Sequence, residues 1–438
     1  MARRREPETA VIDGITHEGR GIASVAGKKV FVAGALPGEE VRFLRRKFRR
    51  NYDEAELLEV LAPAAERVAP RCEAYSVCGG CSLQHMSAAR QRDIKFQALK
   101  DSFERIGRVT PGQWLEPVVA EPWSYRRRAR LAVKDVPAKG RTLVGFRERY
   151  APYVADMTRC EVLAEPVGGM LEDLSALVGS LSIRARLPQI EVAVADNATG
   201  LVFRVLDEPS EADRKILTAF GKAHDLRIYL QPAGLDSVYL LYLQGEASAL
   251  HYTLDDFGLT VEFEPFDFVQ VNAAINRQMV ALALDLLQGQ PADQVLDLFC
   301  GLGNFSLPLA TRAGHVLGIE GEASLVARAR ANAELNGIGN AEFTTADLSM
   351  VDGSEAWIRR HWDRVLLDPA RAGALEVVRH MRAVGPQRIV YVSCHPGTLA
   401  RDAGELVHNQ GYELHAAGIL DMFPHTAHVE SIAVFEKK

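Results

Sequence analysis

The chain has 438 residues, more than one hydrophobic core usually holds, so two or three domains are expected. Its composition of 47% hydrophobic and 25% charged residues, with a net charge of −6, is ordinary for a soluble globular protein. No apolar run has the length of a membrane span and the basic start at residues 1–5 is unlike a signal peptide, so we expect a cytoplasmic protein with no membrane contact and six reduced cysteines.

The first 65 residues have the pattern of a small β-barrel. Short runs of alternating polar and apolar residues are separated by glycine and proline, and three of them are predicted strands: Lys29–Ala33, Glu40–Leu44 and Ala55–Val60. A linker over residues 63–70 follows. We therefore predict a barrel domain over residues 1–65.

A second region follows over residues 66–265. It begins with a cysteine-rich loop and continues with a predicted helix over residues 87–106. Strand and helix patterns then alternate over residues 114–263, which predicts a central α+β domain.

From residue 266 the pattern becomes a regular alternation of helix and strand, which predicts a doubly wound parallel sheet over residues 266–438. A helix is also predicted to begin near Phe305, after the glycine loop. The other predicted elements of this domain are the helices Ala273–Leu287 and Ala323–Leu335 and the strands Gln294–Phe299, His315–Ile319, Glu342–Thr345, Arg364–Leu367 and Arg388–Val392.

Basic residues are concentrated in the first half of the chain. Residues 90–150 contain 15 Lys or Arg against 7 Asp or Glu, whereas residues 270–438 contain 14 against 19. A basic region can hold a phosphate backbone, although for any single run a solvated charged surface is the simpler explanation. Aromatic residues beside the basic runs favour unstacked RNA bases as ligands, and they are Phe43, Phe48, Tyr52, Trp123 and Tyr125.

Acidic residues stand at the ends of the predicted strands of the last domain, where open parallel sheets bind ligands. Glycines 301 and 303 allow a ligand to approach the backbone closely. Glu320, about twenty residues further on, is placed to accept hydrogen bonds from ribose hydroxyls, and Asp347 to hold an adenine amino group. NAD is the natural alternative, but the third glycine of its motif is missing, which favours S-adenosyl-L-methionine.

Cys394 is the predicted nucleophile. It follows the predicted buried strand Arg388–Val392 and lies in a loop before Pro396. Cys300, by contrast, is better explained as a small buried apolar residue. A thiolate that adds to C6 of uracil makes C5 electron-rich enough to accept a methyl group, after which a base must remove the C5 proton. Glu430 is the predicted base, with an exposed strand-edge glutamate as the alternative, and Asp368 is predicted to recognise the uracil edge.

Four cysteines outside the last domain suggest a metal centre. Cys72, Cys78 and Cys81 lie on one glycine-containing loop, and Cys160 is the only other cysteine before the last domain. Four thiolates suit structural zinc or an iron–sulfur cluster, and three close cysteines with one distant cysteine favour the cluster. A radical S-adenosylmethionine centre is a further alternative, but its usual cysteine spacing is different.

Taken together, these motifs resemble those of the RNA uracil-C5 methyltransferases, in particular the type directed at 23S rRNA. The motifs include Phe268-Val-Gln270, Asp297-Leu-Phe299-Cys-Gly301-Leu-Gly303-Asn304, Asp368-Pro-Ala-Arg371 and Tyr391-Val-Ser-Cys394. The resemblance implies an OB-like TRAM barrel, a 4Fe-4S cluster in the central domain and a Rossmann-like S-adenosylmethionine-dependent methyltransferase domain. It further implies that Cys394 is the nucleophile and Glu430 the base. By the same resemblance, the cofactor or uracil contacts are Gln270, Phe299, Asn304, Glu320, Asp347 and Asp368, and the cluster ligands are Cys72, Cys78, Cys81 and Cys160.

The resemblance leaves the substrate partly open. His395 stands where this family usually has asparagine after the nucleophile. Because tRNA-directed members are expected to lack the barrel and the cysteines, we predict an enzyme directed at 23S rRNA. We also expect a monomer, and a single-stranded or refolded RNA loop as its substrate. An enzyme that acts on two or different rRNA sites, a tRNA enzyme and a catalytically silent ribosome-assembly factor are the alternatives.

Overall fold

The computed structural model describes residues 6–245 and 248–438, so the basic start at residues 1–5 lies outside the described residues. The N-terminal region is a closed barrel in which the strands are ordered β1-β2-β3-β5-β4. The strands are β1 (Glu8–Ile15), β2 (Arg20–Val25), β3 (Lys28–Ala33), β4 (Glu40–Phe48) and β5 (Tyr52–Ala62). This confirms the predicted barrel and its three predicted strands, although β4 and β5 are longer than predicted. Alternating residues such as Val30, Val32 and Phe43 point inward and are fully buried, as the period of two requires.

A helix connects the barrel to the rest of the chain. This helix, α1 (Ala88–Ser102), begins at Ser87, whose side chain accepts a hydrogen bond from the Arg90 N–H. Regular α-helix ends four residues earlier than predicted, because residues Phe103–Gly107 form a π-helical turn. The short strand β6 (Gln113–Trp114) then pairs with the edge of the C-terminal sheet. Residues 88–114 therefore contribute to the C-terminal sheet and its core, although they precede residue 266.

The middle of the chain forms a six-stranded sheet with the order β12-β11-β10-β9-β7-β8 and a separate hairpin, β13-β14. The strands are β7 (Arg128–Val136), β8 (Arg141–Gly145), β9 (Gln189–Val194), β10 (Thr199–Arg204), β11 (Leu226–Gln231), β12 (Tyr239–Tyr242), β13 (Leu250–Leu254) and β14 (Leu259–Phe263). The helices are α2 (Leu171–Ser180) and α3 (Glu211–Ala223). Single 3₁₀ turns occur at Pro137–Lys139, Val167–Gly169, Arg184–Arg186, Leu235–Ser237 and Asp255–Phe257.

The C-terminal region is an eight-stranded sheet with the order β17-β16-β15-β18-β19-β21-β20-β6. Its strands are β15 (Gln294–Leu298), β16 (His315–Glu320), β17 (Ala341–Thr345), β18 (Arg364–Leu367), β19 (Arg388–Ser393), β20 (Tyr412–Leu420) and β21 (Glu430–Lys437). Its helices are α4 (Ala273–Leu287), α5 (Ser306–Ala310), α6 (Ala323–Leu335), α7 (Leu375–Val378), α8 (Met381–Val384) and α9 (Pro396–His408). The predicted helix–strand alternation is confirmed, and α4 and α6 have the predicted bounds.

One strand departs from the predicted parallel sheet. Strand β21 is antiparallel to both of its neighbours, β19 and β20. The reason is its connection: only residues 421–429 separate β20 from β21, and so short a link makes a hairpin rather than a parallel crossover. Both faces of the sheet are covered, since Val390 and Val392 pack with α4 on one side while Ile389 and Tyr391 pack with α9 on the other. In the described part of the chain, no helix is long and apolar enough to cross a membrane.

Candidate active site

A cavity of about 600 Å³, called here the cofactor cavity, lies beyond the carboxyl ends of β15, β16, β18 and β19. This is where open parallel sheets bind ligands. Seven of the predicted site residues line it: Gln270, Phe299, Asn304, Glu320, Asp368, Cys394 and Glu430. Asp347 is not among the lining residues. It lies just past β17, and its carboxylate accepts hydrogen bonds from the backbone N–H and the hydroxyl of Ser349, at 2.9 and 2.6 Å.

The glycine loop after β15 is held in an unusual backbone conformation. Phe299 has φ of +68°, a value that side-chain-bearing residues rarely adopt, and its N–H donates to the Ile319 carbonyl at 2.8 Å. The Glu320 carboxylate accepts the Gly301 N–H at 3.1 Å and the Gly321 N–H at 2.7 Å. Glu320 thus fixes the loop while it forms part of the cavity wall. No local sequence signal predicts the conformation of Phe299, because the contacts that hold it come from the neighbouring strand.

Asn304 is held by two residues that the sequence did not single out. Its side-chain amide pairs with that of Asn276 on α4 through two hydrogen bonds of 2.9 and 3.0 Å. The Tyr252 hydroxyl, from the hairpin β13-β14, donates to the same Asn304 oxygen at 2.9 Å. The middle region therefore supplies one wall of the cofactor cavity. Asn276 lies one helical turn after the capping residue Asn272, and only this spacing hints at its position.

Three carboxyl groups lie behind and within the cavity: those of Asp297 and Glu430 are buried and that of Asp368 is partly buried. Burial, with the nearby charge of Glu320 as a smaller cause, raises the pKa of Asp297 to about 7, although the Ser306 hydroxyl donates to its carboxylate. Burial, and then the charge of Asp297, raises the pKa of Asp368 to about 7. Burial, and then Asp368, raises the pKa of Glu430 well above its ordinary value. Glu430 is only 3% exposed, and no hydrogen bond to another described residue holds its carboxyl group.

Cys394 lies between β19 and α9. His395 caps α9, because its Nδ1 accepts the Thr398 N–H at 3.2 Å, and Pro396 is in the first turn. Burial raises the pKa of the Cys394 thiol to about 11, the charges of Glu430 and Asp368 add to this effect, and the Arg371 guanidinium opposes it. Burial therefore keeps the thiol protonated at neutral pH.

Cys394 also faces a second cavity, of about 560 Å³, which we call the barrel cleft. The barrel, the cysteine loop (residues 72–85) and the start of α9 all contribute to its walls. Arg371, Cys394 and His428 line both cavities, so the thiol stands where the two spaces meet. Arg371 Nη2 lies 3.3 Å from His428 Nδ1. Arg371 belongs to the Asp368 motif, but neither residue was assigned a role from the sequence.

The four cysteines of the predicted cluster lie around a third cavity, of about 180 Å³, which we call the cysteine cavity. Cys72, Cys78, Cys81 and Cys160 are all free thiols. Burial raises the pKa of Cys81 to about 12 and that of Cys160 to about 11. Within residues 6–245 and 248–438, however, no group of three or more His, Cys, Asp or Glu side chains is arranged to hold a metal ion. The fold thus brings the four thiols to one cavity without gathering them around a single ion position.

Comparison with known proteins defines the class. The family model described as tRNA (Uracil-5-)-methyltransferase matches residues 253–438. A 23S rRNA (uracil(1939)-C(5))-methyltransferase RlmD from Alkalilimnicola ehrlichii is 52% identical, over 100% of this chain and 99% of that protein. The protein of the same name from Methylococcus capsulatus is 50% identical, over 99% of this chain and 97% of that protein. The fold and these matches define an S-adenosylmethionine-dependent uracil-C5 methyltransferase. Within that class, the chain belongs to the 23S rRNA (uracil(1939)-C(5))-methyltransferase RlmD family.

A solved structure corrects one prediction. The tRNA (uracil-54, C5)-methyltransferase of Pyrococcus abyssi, crystallised with S-adenosyl-L-homocysteine, has the same fold, with a TM-score of 0.76 at 24% identity. The similarity covers 98% of this chain and 99% of that one, so it includes the barrel. The expectation that tRNA-directed relatives lack the barrel is therefore wrong. The architecture alone does not separate rRNA enzymes from tRNA enzymes.

Proposed function

We propose that this protein transfers a methyl group from S-adenosyl-L-methionine to C5 of one uridine in 23S rRNA, the counterpart of the uracil 1939 that its relatives' names specify. The observation that carries the proposal is the position of Cys394, which faces both the cofactor cavity with Glu430 and the barrel cleft. A thiol at that junction can reach a uracil that enters through the barrel cleft, and it lies beside the cavity in which the methyl donor is proposed to bind.

The cofactor cavity suits the donor. S-adenosylmethionine supplies an electrophilic methyl group on a sulfonium centre. We assign its contacts to Gln270, Phe299, Asn304 and Glu320, which line the cavity, and Asp368 to the cofactor or the uracil edge. Asp347, which follows β17 and is not among the residues that line the cavity, remains our proposed partner for the adenine amino group.

The reaction begins when uracil enters and the Cys394 thiol loses its proton to solvent. Glu430 is buried and neutral at that stage, and a neutral neighbour disfavours the thiolate less than a charged one. The sulfur then bonds to C6, the displaced electron pair makes C5 nucleophilic, and C5 takes the methyl group as the donor's methyl–sulfur bond breaks. Once the sulfur is bonded to carbon its negative charge is gone, so Glu430 ionises more easily and its proton passes to solvent.

In the last step the Glu430 carboxylate removes the proton from C5. The electron pair of that C–H bond forms the C5–C6 double bond, the sulfur–C6 bond breaks, and Cys394 leaves as a thiolate. Glu430 is left protonated and the Cys394 thiolate takes one proton back from solvent. The products are 5-methyluridine and S-adenosylhomocysteine, and one proton in net is released to solvent.

The RNA is proposed to enter through the barrel cleft as a single-stranded or refolded loop. Arg20, Phe31 and Lys47 of the barrel line this cleft together with Arg149 and Tyr150, a mixture of cations and rings suited to phosphates and bases. Cys394 faces the same space, so a base that leaves its stack in the cleft reaches the thiol directly.

We also propose a 4Fe-4S cluster held by Cys72, Cys78, Cys81 and Cys160, with a structural or RNA-folding role. Four free thiols around one cavity support it, and a cluster is larger than a single zinc ion. We further propose three domains, at residues 1–65, 66–265 and 266–438, in a monomer that works in the cytoplasm, where thiols stay reduced.

The test is methylation of unmodified 23S rRNA with tritiated donor under anaerobic, reducing conditions, followed by mass mapping of the labelled nucleotide. Label at the one expected uridine supports the proposal. The methyl group at that uridine should also be missing from the rRNA of a deletion strain. Label at two sites favours a dual-site enzyme, and label in tRNA favours the tRNA alternative that the shared fold leaves open. RNA binding without label favours a ribosome-assembly factor.

A further inference from the structure

Helix α1 buries two long polar side chains on one face. Gln91 is 2% exposed and Lys95 is 1% exposed, and they lie one turn apart. Burying such groups is unfavourable unless each is paired, so their partners show what the helix holds. The partners lie in the cysteine loop and in residues 421–425, and neither residue has a part in the chemistry proposed above.

Gln91 joins two parts of the chain that are more than 300 residues apart. Its Nε2 donates to the Leu83 carbonyl, in the cysteine loop, at 3.1 Å and to the Met86 carbonyl, just past that loop, at 3.0 Å. Its Oε1 accepts the His425 N–H at 2.8 Å. One amide therefore binds the cysteine loop to the segment of residues 423–429, which we call the base segment because Glu430 follows it.

Lys95 holds the beginning of the same segment. Its Nζ donates to the Asp421 carboxylate at 2.7 Å and to the Phe423 carbonyl at 2.9 Å. The cysteine loop adds two direct bonds, since the N–H groups of Ser82 and Leu83 both donate to the His425 carbonyl at 2.9 Å. His425 has φ of +65°, a conformation that needs such contacts to persist.

The base segment decides where Glu430 lies. Glu430 is the first residue of β21, so the sheet constrains it from one side only and the base segment constrains it from the other. His428, within the segment, lines the cysteine cavity as well as the cofactor cavity, so the segment forms the wall between them.

We propose that Gln91 and Lys95 are positioning residues for the base: from one helix they fix the base segment against the cysteine loop and so place the carboxyl group of Glu430 at C5 of the uracil. The inference rests on the proposed function. It predicts a selective defect, because addition and methyl transfer depend on Cys394 and the cofactor cavity, whereas only proton removal depends on Glu430.

The test compares Gln91→Ala with Gln97→Ala, an exposed glutamine on the same helix whose side-chain amide donates to Asp101. For Gln91→Ala we expect kcat to fall by about 10–100-fold, the scale of a base displaced by roughly 1 Å, while the Kd for S-adenosylmethionine and the KM for RNA change little. Covalent protein–RNA complex should accumulate on denaturing gels, and amide exchange in residues 423–429 should become faster. Gln97→Ala should match the wild type in all four measurements.

A Gln91→Ala protein with wild-type kcat, or one whose slow turnover brings no covalent complex, overturns the inference. If that variant does not fold, Gln91→Asn keeps the amide but shortens its reach, and the same outcomes apply to it. If the wild-type protein does not methylate 23S rRNA, the proposed function fails. If it does, the measurements on Gln91→Ala test only the positioning role of Gln91 and Lys95.

Discussion

The substitution Glu430→Gln tests the proposed chemistry, because it replaces the proposed base with a neutral side chain of the same size. In Glu430→Gln, addition of Cys394 and methyl transfer remain possible, but the C5 proton has no acceptor. General-base catalysis contributes about 10²–10⁴-fold, so kcat should fall by that factor, which corresponds to about 3–5 kcal/mol of activation free energy.

Because Glu430 is buried, its replacement by glutamine should not destabilise the fold. Since burial raises its pKa well above the ordinary value, the folded protein already carries a neutral side chain there, whereas the unfolded chain ionises near the ordinary value. The wild type therefore loses stability as pH rises through the range between these two pKa values, and Glu430→Gln does not. The variant should be at least as stable as the wild type at pH 8, so a fall in kcat will not reflect unfolding.

The assay incubates the variant with labelled RNA and S-adenosylmethionine and separates the products on a denaturing gel. A shifted protein–RNA band is expected, and it should be absent from the double variant Cys394→Ala, Glu430→Gln. Normal turnover by Glu430→Gln, with no shifted band, would remove Glu430 from the mechanism.

Three further predictions concern the nucleophile, a buried acid and the cysteines. Cys394→Ala should abolish methylation and leave the Kd for RNA nearly unchanged, because the thiol is one small group in a cleft of about 560 Å³; a large loss of RNA binding contradicts this. Asp297 has a raised pKa of about 7, so the wild type should lose stability relative to Asp297→Asn as pH rises from about 4 to 7. At about 1.4 kcal/mol per pKa unit, the variant's relative gain in unfolding free energy is at most a few kcal/mol. A difference between the two proteins in denaturant melts that does not change with pH would refute this prediction. The purified protein should contain iron and acid-labile sulfide that Cys160→Ala loses; stoichiometric zinc reverses the cluster assignment.

The sequence predicted the elements whose signals are local. Helices α4 and α6 have their predicted bounds because apolar periodicity marks their extent, and the Asn272 side chain caps the start of α4. The antiparallel direction of β21 was missed, since direction depends on which strands pair and not on the strand's own residues. The glycine loop was recognised, but the backbone conformation of Phe299 depends on contacts with β16.

The site shows the same division. Residues predicted from the sequence, such as Cys394 and Glu430, line one cavity. Tyr252 and Asn276, which hold Asn304, were missed because they reach the cavity from a distant hairpin and from a helix face. Gln91 and Lys95 were missed for a related reason: polar residues on a helix usually face solvent, and only the fold shows that these two are buried.

The most direct measurement of the central claim is peptide mass spectrometry of the covalent complex trapped with Glu430→Gln. After nuclease and protease digestion, the peptide that contains Cys394 should carry a uridine nucleotide whose mass includes one added methyl group. An adduct on a different residue such as Cys300, or methylated RNA formed without any adduct on Cys394, would contradict the account.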